Sequence, residues 1–211
     1  ARTILEELLV ANPRLMAAYD LLARCHEQLG STGDAQKVLE EAVAISPHMV
    51  RRLRKLGEVA LENGDAEAAE KSFRQVVAKA RYSEFRNPED HVNLVKAMVA
   101  RGDVAGAGGV IRDLERSMRG SANVDACRAY SNALLLEKTG NVHAAAAELA
   151  NAVSAARTGS GLSPGLKIGL AQACLGHRMD EGASTVMMSV MGDTGKGVTA
   201  VSYTHLRAHE T

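Results

Sequence analysis

Four glycines set the strongest constraint on this chain. Gly30, Gly64, Gly102 and Gly140 stand 34, 38 and 38 residues apart, and each closes a stretch of helix-forming sequence. One further step of 38 reaches Arg178, inside the turn-like GHRMDEG, and Pro13 and Pro47 repeat at 34. A period of this size holds two helices and a tight turn, and it is too short for a domain with its own core. Glycine at a helix end takes the left-handed conformation that stops the helix at no steric cost. Gly64, Gly102 and Gly140 are followed by Asp65, Asp103 and Asn141, whose side chains accept hydrogen bonds from the free amides of the next helix. The spacing predicts helix–turn–helix units, each able to bury its apolar faces only against its neighbours.

Within a unit, small and large residues recur at fixed places. The first unit reads Tyr19-x2-Leu22-Ala23-x2-His26, then Ala35-x3-Leu39-x2-Ala42 and Pro47. The second reads Leu53-x2-Leu56-Gly57-x2-Ala60, then Ala69-x3-Phe73. Small residues at 23, 57, 35 and 69 let two helices cross closely, and the large ones fill the spaces between successive pairs. This resembles the tetratricopeptide repeat, W-x2-L-G-x2-Y…A-x3-F…P. Later units are looser. The third has Leu94, Ala107 and Ile111, the fourth Ala133, Ala145 and Leu149, and the fifth Leu170, Ala171, Ala183 and Met187. Ala1, Leu5, Leu8 and Pro13 fit the second helix of a unit whose first helix is missing.

The expected fold is therefore all-α, a right-handed superhelical solenoid of about eleven helices in antiparallel pairs. Its array spans 1–191, with a half unit at 1–13 and full units at about 16–49, 50–87, 88–125, 126–163 and 164–191. The extra residues of the later steps fall between units, near Tyr82–Asn87, Arg119–Asn123 and Thr158–Ser163. Asn87-Pro88-Glu89-Asp90 reads as a helix start, with an N-cap, a proline in the first turn and acids matching the dipole.

Composition agrees and removes several function classes. Aromatic residues make up 3% of the chain, too few for a β-sandwich, while the abundant alanine suits close helix packing. With 25 Lys+Arg against 25 Asp+Glu the net charge is 0, which argues against a nucleic-acid surface. No uninterrupted apolar run is long enough to insert in a membrane. Cys25, Cys127 and Cys174 lack metal or disulfide spacing and read as small buried hydrophobes in a reducing cytoplasm. No G-x-S-x-G, H-E-x-x-H or phosphate loop occurs, so neither catalysis nor a cofactor is expected. His26 stands at a packing position of the repeat, and Met187, Met188 and Met191 belong to the last helix and its exposed apolar end. ARTILEELL starts inside an amphipathic helix with no signal peptide before it, so the chain reads as a fragment.

Residues 192–211 are expected to be a linker and a non-native tail. GDTGKGVTA contains Lys196 in the wrong spacing for a P-loop. His205 and His209 stand four apart without a third metal ligand, and VSYTHLRAHET (201–211) resembles a translated sequencing-adapter tail.

Binding is expected on the concave surface lined by the first helix of each unit. That register offers Asp20, Arg24 and Glu27 from the first unit, and Arg51, Arg54, Lys55 and Glu58 from the second. The third offers Val92, Asn93 and Lys96, and the fourth Tyr130, Leu134 and Glu137. In RRLRK (51–55), Arg51, Arg54 and Lys55 share one helix face and suit an acidic or carboxylate-bearing segment of a protein or peptide partner.

The wording around NPRLMAAYD and AISPHMVRRLRKLGE resembles bacterial two-component response regulators that carry tetratricopeptide repeats after a receiver domain. The resemblance concerns residues 1 to about 120, none of which is the family's phosphoacceptor, and it implies an output or scaffold role in signalling. Two other roles fit the same repeats: an assembly or accessory scaffold of a cell-envelope or secretion complex, and the repeat part of an enzyme whose catalytic domain is missing.

Overall fold

The computed structural model describes residues 2–118, 120–159 and 161–194. Among them are eleven α-helices and no strand. They are α1 (Arg2–Ala11), α2 (Met16–Gln28), α3 (Thr32–Ile45), α4 (Val50–Glu62), α5 (Ala66–Ala80), α6 (Pro88–Arg101), α7 (Val104–Ser117), α8 (Ala122–Lys138), α9 (Val142–Thr158), α10 (Pro164–Gly176) and α11 (Asp180–Thr194). The chain divides into two compact units, 1–103 and 104–211. In the first, α1 to α6 each pack on the next; in the second, α7 to α11 do the same.

The glycine ruler marks the turns. Gly30, Gly64, Gly102 and Gly140 have φ of 72°, 77°, 83° and 79°. Arg178, reached by the last step of 38, is the one described non-glycine residue with positive φ, at 57°. That turn keeps the left-handed geometry although its residue carries a Cβ, which places a small strain there. Three of the expected caps are seen. Asp65 accepts from the amide of Ala68 at 3.0 Å, Asn141 from Ala144 at 3.3 Å, and Asn87 from Glu89 at 3.0 Å ahead of Pro88.

The core lies along the seams between helices. Ala23, Ala35, Leu39, Ala60, Ala69 and Phe73 are all at most 1% exposed, and His26 is buried at its packing position. The crossing of α4 on α5 is close. A Cβ at Gly57 would stand 2.7–2.9 Å from three atoms of the Phe73 ring, which is itself fully buried. Cys127 and Cys174 are buried, Cys25 is half-buried, and all three are free thiols; burial pushes the Cys174 thiol up to about 11.

α1 packs on α2 but buries none of its residues fully, leaving Ile4, Leu8 and Val10 exposed. At the other end Met187 is buried and Met188 exposed. The side chain of Met191, together with Lys196, His205, His209 and the tail, lies outside the described residues.

Gly57→Ala is expected to destabilise the first unit by about 1–3 kcal/mol, because the added methyl meets a ring with no free volume around it. In an open helix the same change would stabilise by up to about 1 kcal/mol. Urea denaturation distinguishes the two, and a stability equal to or above that of the parent would mean that Phe73 has room to move.

Candidate functional site

The first helices of unit 1 carry alternating charges that meet in the folded chain. Arg52 of α4 clasps Asp20 of α2 through Nε and Nη2, both at 2.8 Å, and its Nη1 donates to Ser46 Oγ at 2.5 Å. Two carboxylate oxygens facing a planar guanidinium form the strong bidentate arrangement. The Arg52 side chain is 6% exposed while that of Asp20 is 51% exposed, so a buried guanidinium is held by a carboxylate at the surface. Lys55, one turn further along α4, pairs with Glu27, two turns along α2.

The same device joins α4 to α6. Arg54 donates from Nε at 2.6 Å and Nη2 at 2.8 Å to the carboxylate of Asp90, and also to the carbonyl of Phe85 at 2.9 Å. The Asp90 side chain is 1% exposed. The hydrogen bond to Asp90 raises the Arg54 pKa despite the opposing effect of burial. Beside them, burial pushes the Glu58 carboxyl up, against the pull of Lys55 and Arg54. On the second helices, Glu70 of α5 accepts from Arg74 at 2.8 Å and from Arg101 of α6 at 2.6 Å. Its own burial favours the neutral acid, yet the two guanidinium groups outweigh that and hold it below the usual range.

Two cations remain apart from this ladder. Arg24 is exposed and takes part in no ion pair among the described residues. Arg51 is exposed and stacks on the Phe85 ring, 5.4 Å from its centroid. Both line one groove of about 390 Å³, with Asp20 and Ala23 of α2, Leu39 of α3, Met49 ahead of α4, and Arg52 and Lys55 of α4. A second hollow of about 370 Å³ lies among α3, α4 and α5, with Glu40 and Lys71 as its charged residues.

Of the residues expected on the binding face, the groove gathers Asp20, Arg24, Arg51 and Lys55. Glu27 stands beside it through Lys55. Arg54 and Glu58 lie next to Asp90 instead. Asn93 and Lys96 are half-buried on α6. Two expectations need correction: Val92 and Tyr130 are buried rather than surface-lining. Val92 sits three residues from fully buried Val95, and Tyr130 three from fully buried Cys127 and Ala133, so both lie on core stripes. Met49 and Arg52 were not among the expected site residues. Arg52 was legible in principle: Asp20 precedes it by 32 residues, close to one repeat, and opposite charges one period apart tend to meet on neighbouring helices.

Among the described residues no group of His, Cys, Asp and Glu could hold a metal ion, and no helix is long and apolar enough to cross a membrane.

Residues 28–87 match the family model of the tetratricopeptide repeat. No match was found among curated proteins. The fold is similar to that of a thermophilic TPR protein of Thermus thermophilus, 20% identical, covering 92% of this chain and 96% of that one with a TM-score of 0.57. It is also similar to a tetratricopeptide repeat protein of Parabacteroides merdae, 14% identical over 97% of this chain and 74% of that one, with a TM-score of 0.59. PilW, a type IV pilus biogenesis factor, is 15% identical over 92% of this chain and 84% of that one, with a TM-score of 0.54. These likenesses establish the fold: stacked helix pairs of the tetratricopeptide type.

Two outcomes test the charge ladder. Arg54→Met leaves the Asp90 carboxylate buried and uncompensated, and should cost about 2–4 kcal/mol; the double variant Arg54→Met/Asp90→Leu should lose clearly less than the two single variants combined. Additive losses would mean that the pair is not coupled. Glu58→Gln should stabilise the protein near pH 7. A carboxyl whose folded pKa is raised contributes stability while protonated and loses it as pH climbs through that raised value, so the ionised form is a burden at neutrality. The gain should vanish at about pH 3, where the glutamate is itself protonated. Thermal melts at both pH values measure it, and a Gln variant no more stable than the parent at pH 7 would contradict the assignment.

Proposed function

We propose that this chain is a non-enzymatic protein–protein interaction scaffold that holds a segment of a partner in the groove between α2 and α4. One observation carries this reading: Arg24 and Arg51 line a groove of about 390 Å³ and meet no carboxylate among the described residues, while the other cations lining it are already paired. Rigid, interlocked helices supply a preorganised surface, so little of the binding free energy is lost in ordering it. The repeat fold supports such a role by analogy, since stacked helix pairs present extended grooves.

The sequence resemblance to response regulators adds a finer reading, in which the repeats are the cytoplasmic output region of a two-component system and a receiver domain controls what they hold. A second reading draws on the likeness to PilW, a pilus biogenesis factor: an assembly scaffold of a cell-envelope complex. The coding DNA upstream of residue 1 separates them. A receiver domain there supports the first, and a signal peptide or membrane anchor supports the second.

The groove itself is tested by a photo-crosslinking amino acid at Met49, 49% exposed within it, and at Met188, 63% exposed in the other unit. In the source organism, adducts are expected from position 49 that position 188 does not give. Identical adducts from both, or none from position 49, would remove the groove from the assignment.

A further inference from the structure

The groove's charge balance narrows what it receives. Four cations and one carboxylate line it. Asp20 neutralises Arg52, and Glu27, just outside, neutralises Lys55. Arg24 and Arg51 are left without a carboxylate, in a chain whose net charge is 0. The excess is therefore local. The neighbouring hollow on α3, α4 and α5 shows no such excess, since Glu40 and Lys71 balance each other there.

Arg51 is also held in readiness. Phe85, in the segment inserted between the second and third units, lies under its guanidinium. The Phe85 carbonyl is in turn held by Arg54, which Asp90 anchors from a buried position. A stacked guanidinium keeps its edge N–H groups free and loses little rotamer freedom when a carboxylate arrives. The apolar part of the lining is Ala23, Leu39 and Met49, of which Met49 is 49% exposed. An unbranched thioether side chain adapts to the shape of the apolar group it meets.

We infer that the groove's occupant is an acidic linear segment of a protein partner, with carboxylates on either side of one apolar side chain: the carboxylates bind Arg24 and Arg51, and the apolar group packs on Met49. This deepens the scaffold reading and rests on it. A basic segment would set like charges against both guanidiniums, and a neutral one would leave them partly desolvated without a partner. The ion pairs sit at an open rim, so they act mainly on encounter rate and selectivity, and their contribution falls with salt.

The test uses three fluorescein-labelled peptides of about twelve residues. They share one central leucine and differ only in its flanks: Asp/Glu, Asn/Gln or Lys. Fluorescence anisotropy of the whole chain is read at about 50 and about 300 mM NaCl. The acidic peptide should bind at least about tenfold more tightly than the Asn/Gln peptide, and the Lys peptide should not bind. Arg24→Ala and Arg51→Ala should each weaken the acidic peptide about five- to tenfold and flatten its salt dependence. Lys71→Ala, at the other hollow, should change nothing. Both arginines are exposed, so these variants keep the fold, and a melting curve of each checks it. Equal affinity for the acidic and neutral peptides, with Met49→Lys abolishing both, would overturn the acidic preference and leave the scaffold reading intact. No binding of any peptide, or binding untouched by both arginine variants, would overturn the inference; joined to an absence of adducts at position 49, it would take the scaffold reading with it.

Discussion

The ring of Phe73 occupies the space that any side chain at residue 57 would need. That contact lets α4 and α5 approach closely where they cross. A two-helix hairpin has too little interior to bury its apolar faces, so its stability comes from such seams, first within a pair and then between pairs. Ala23 against α3, and Ala35 and Ala69 on the second helices, apply the same solution with less extreme geometry. The polar features of the unit depend on this closeness. Guanidinium and carboxylate groups on successive first helices can meet within 2.6–2.8 Å only because the backbones that carry them are held near one another.

Seams of small and large residues are permissive about register, since one apolar face slides on another at modest cost. The ion pairs are not. Asp20–Arg52 and Arg54–Asp90 are bidentate and partly desolvated, and a slip of one residue would strand a charge in the interior. Amides add to this selectivity. Buried Gln36 donates to Asp65 at 2.8 Å and accepts from Asn63 at 2.9 Å, so the turn at Gly64 is tied to the preceding helix pair. The polar contacts thus contribute more to choosing one stacking than to its net free energy. They also dispose of most of the basic run at 51–55, leaving a groove whose remaining charge is that of two arginines.

Much of this was legible in the chain. The period of turn glycines identified five turns, including the one at Arg178, where no glycine marks the position. Asn87-Pro88 marked the start of α6, and the alternation of small and large residues indicated which helices cross closely. Legibility failed where the question was which way a side chain faces. Val92 and Tyr130 lie within helices whose surface and core stripes carry similar apolar residues, and helical period alone does not say which stripe meets a neighbour. RRLRK read as one basic face for the same reason. Its charges were visible, and the carboxylates that answer them are 28 to 36 residues away in sequence.

The sequence by itself determined the repeat length, the positions of the turns and the need for close crossing, because these follow from local conformational preferences and side-chain volume. Only the tertiary structure decided which charges are cancelled and which are left, because an ion pair between helices depends on the distance between backbones and on how much water the seam admits. Arg52 and Arg51 are neighbours of identical chemistry. Stacking turns one into a buried clasp on Asp20 and leaves the other, resting on Phe85, at the rim of the groove.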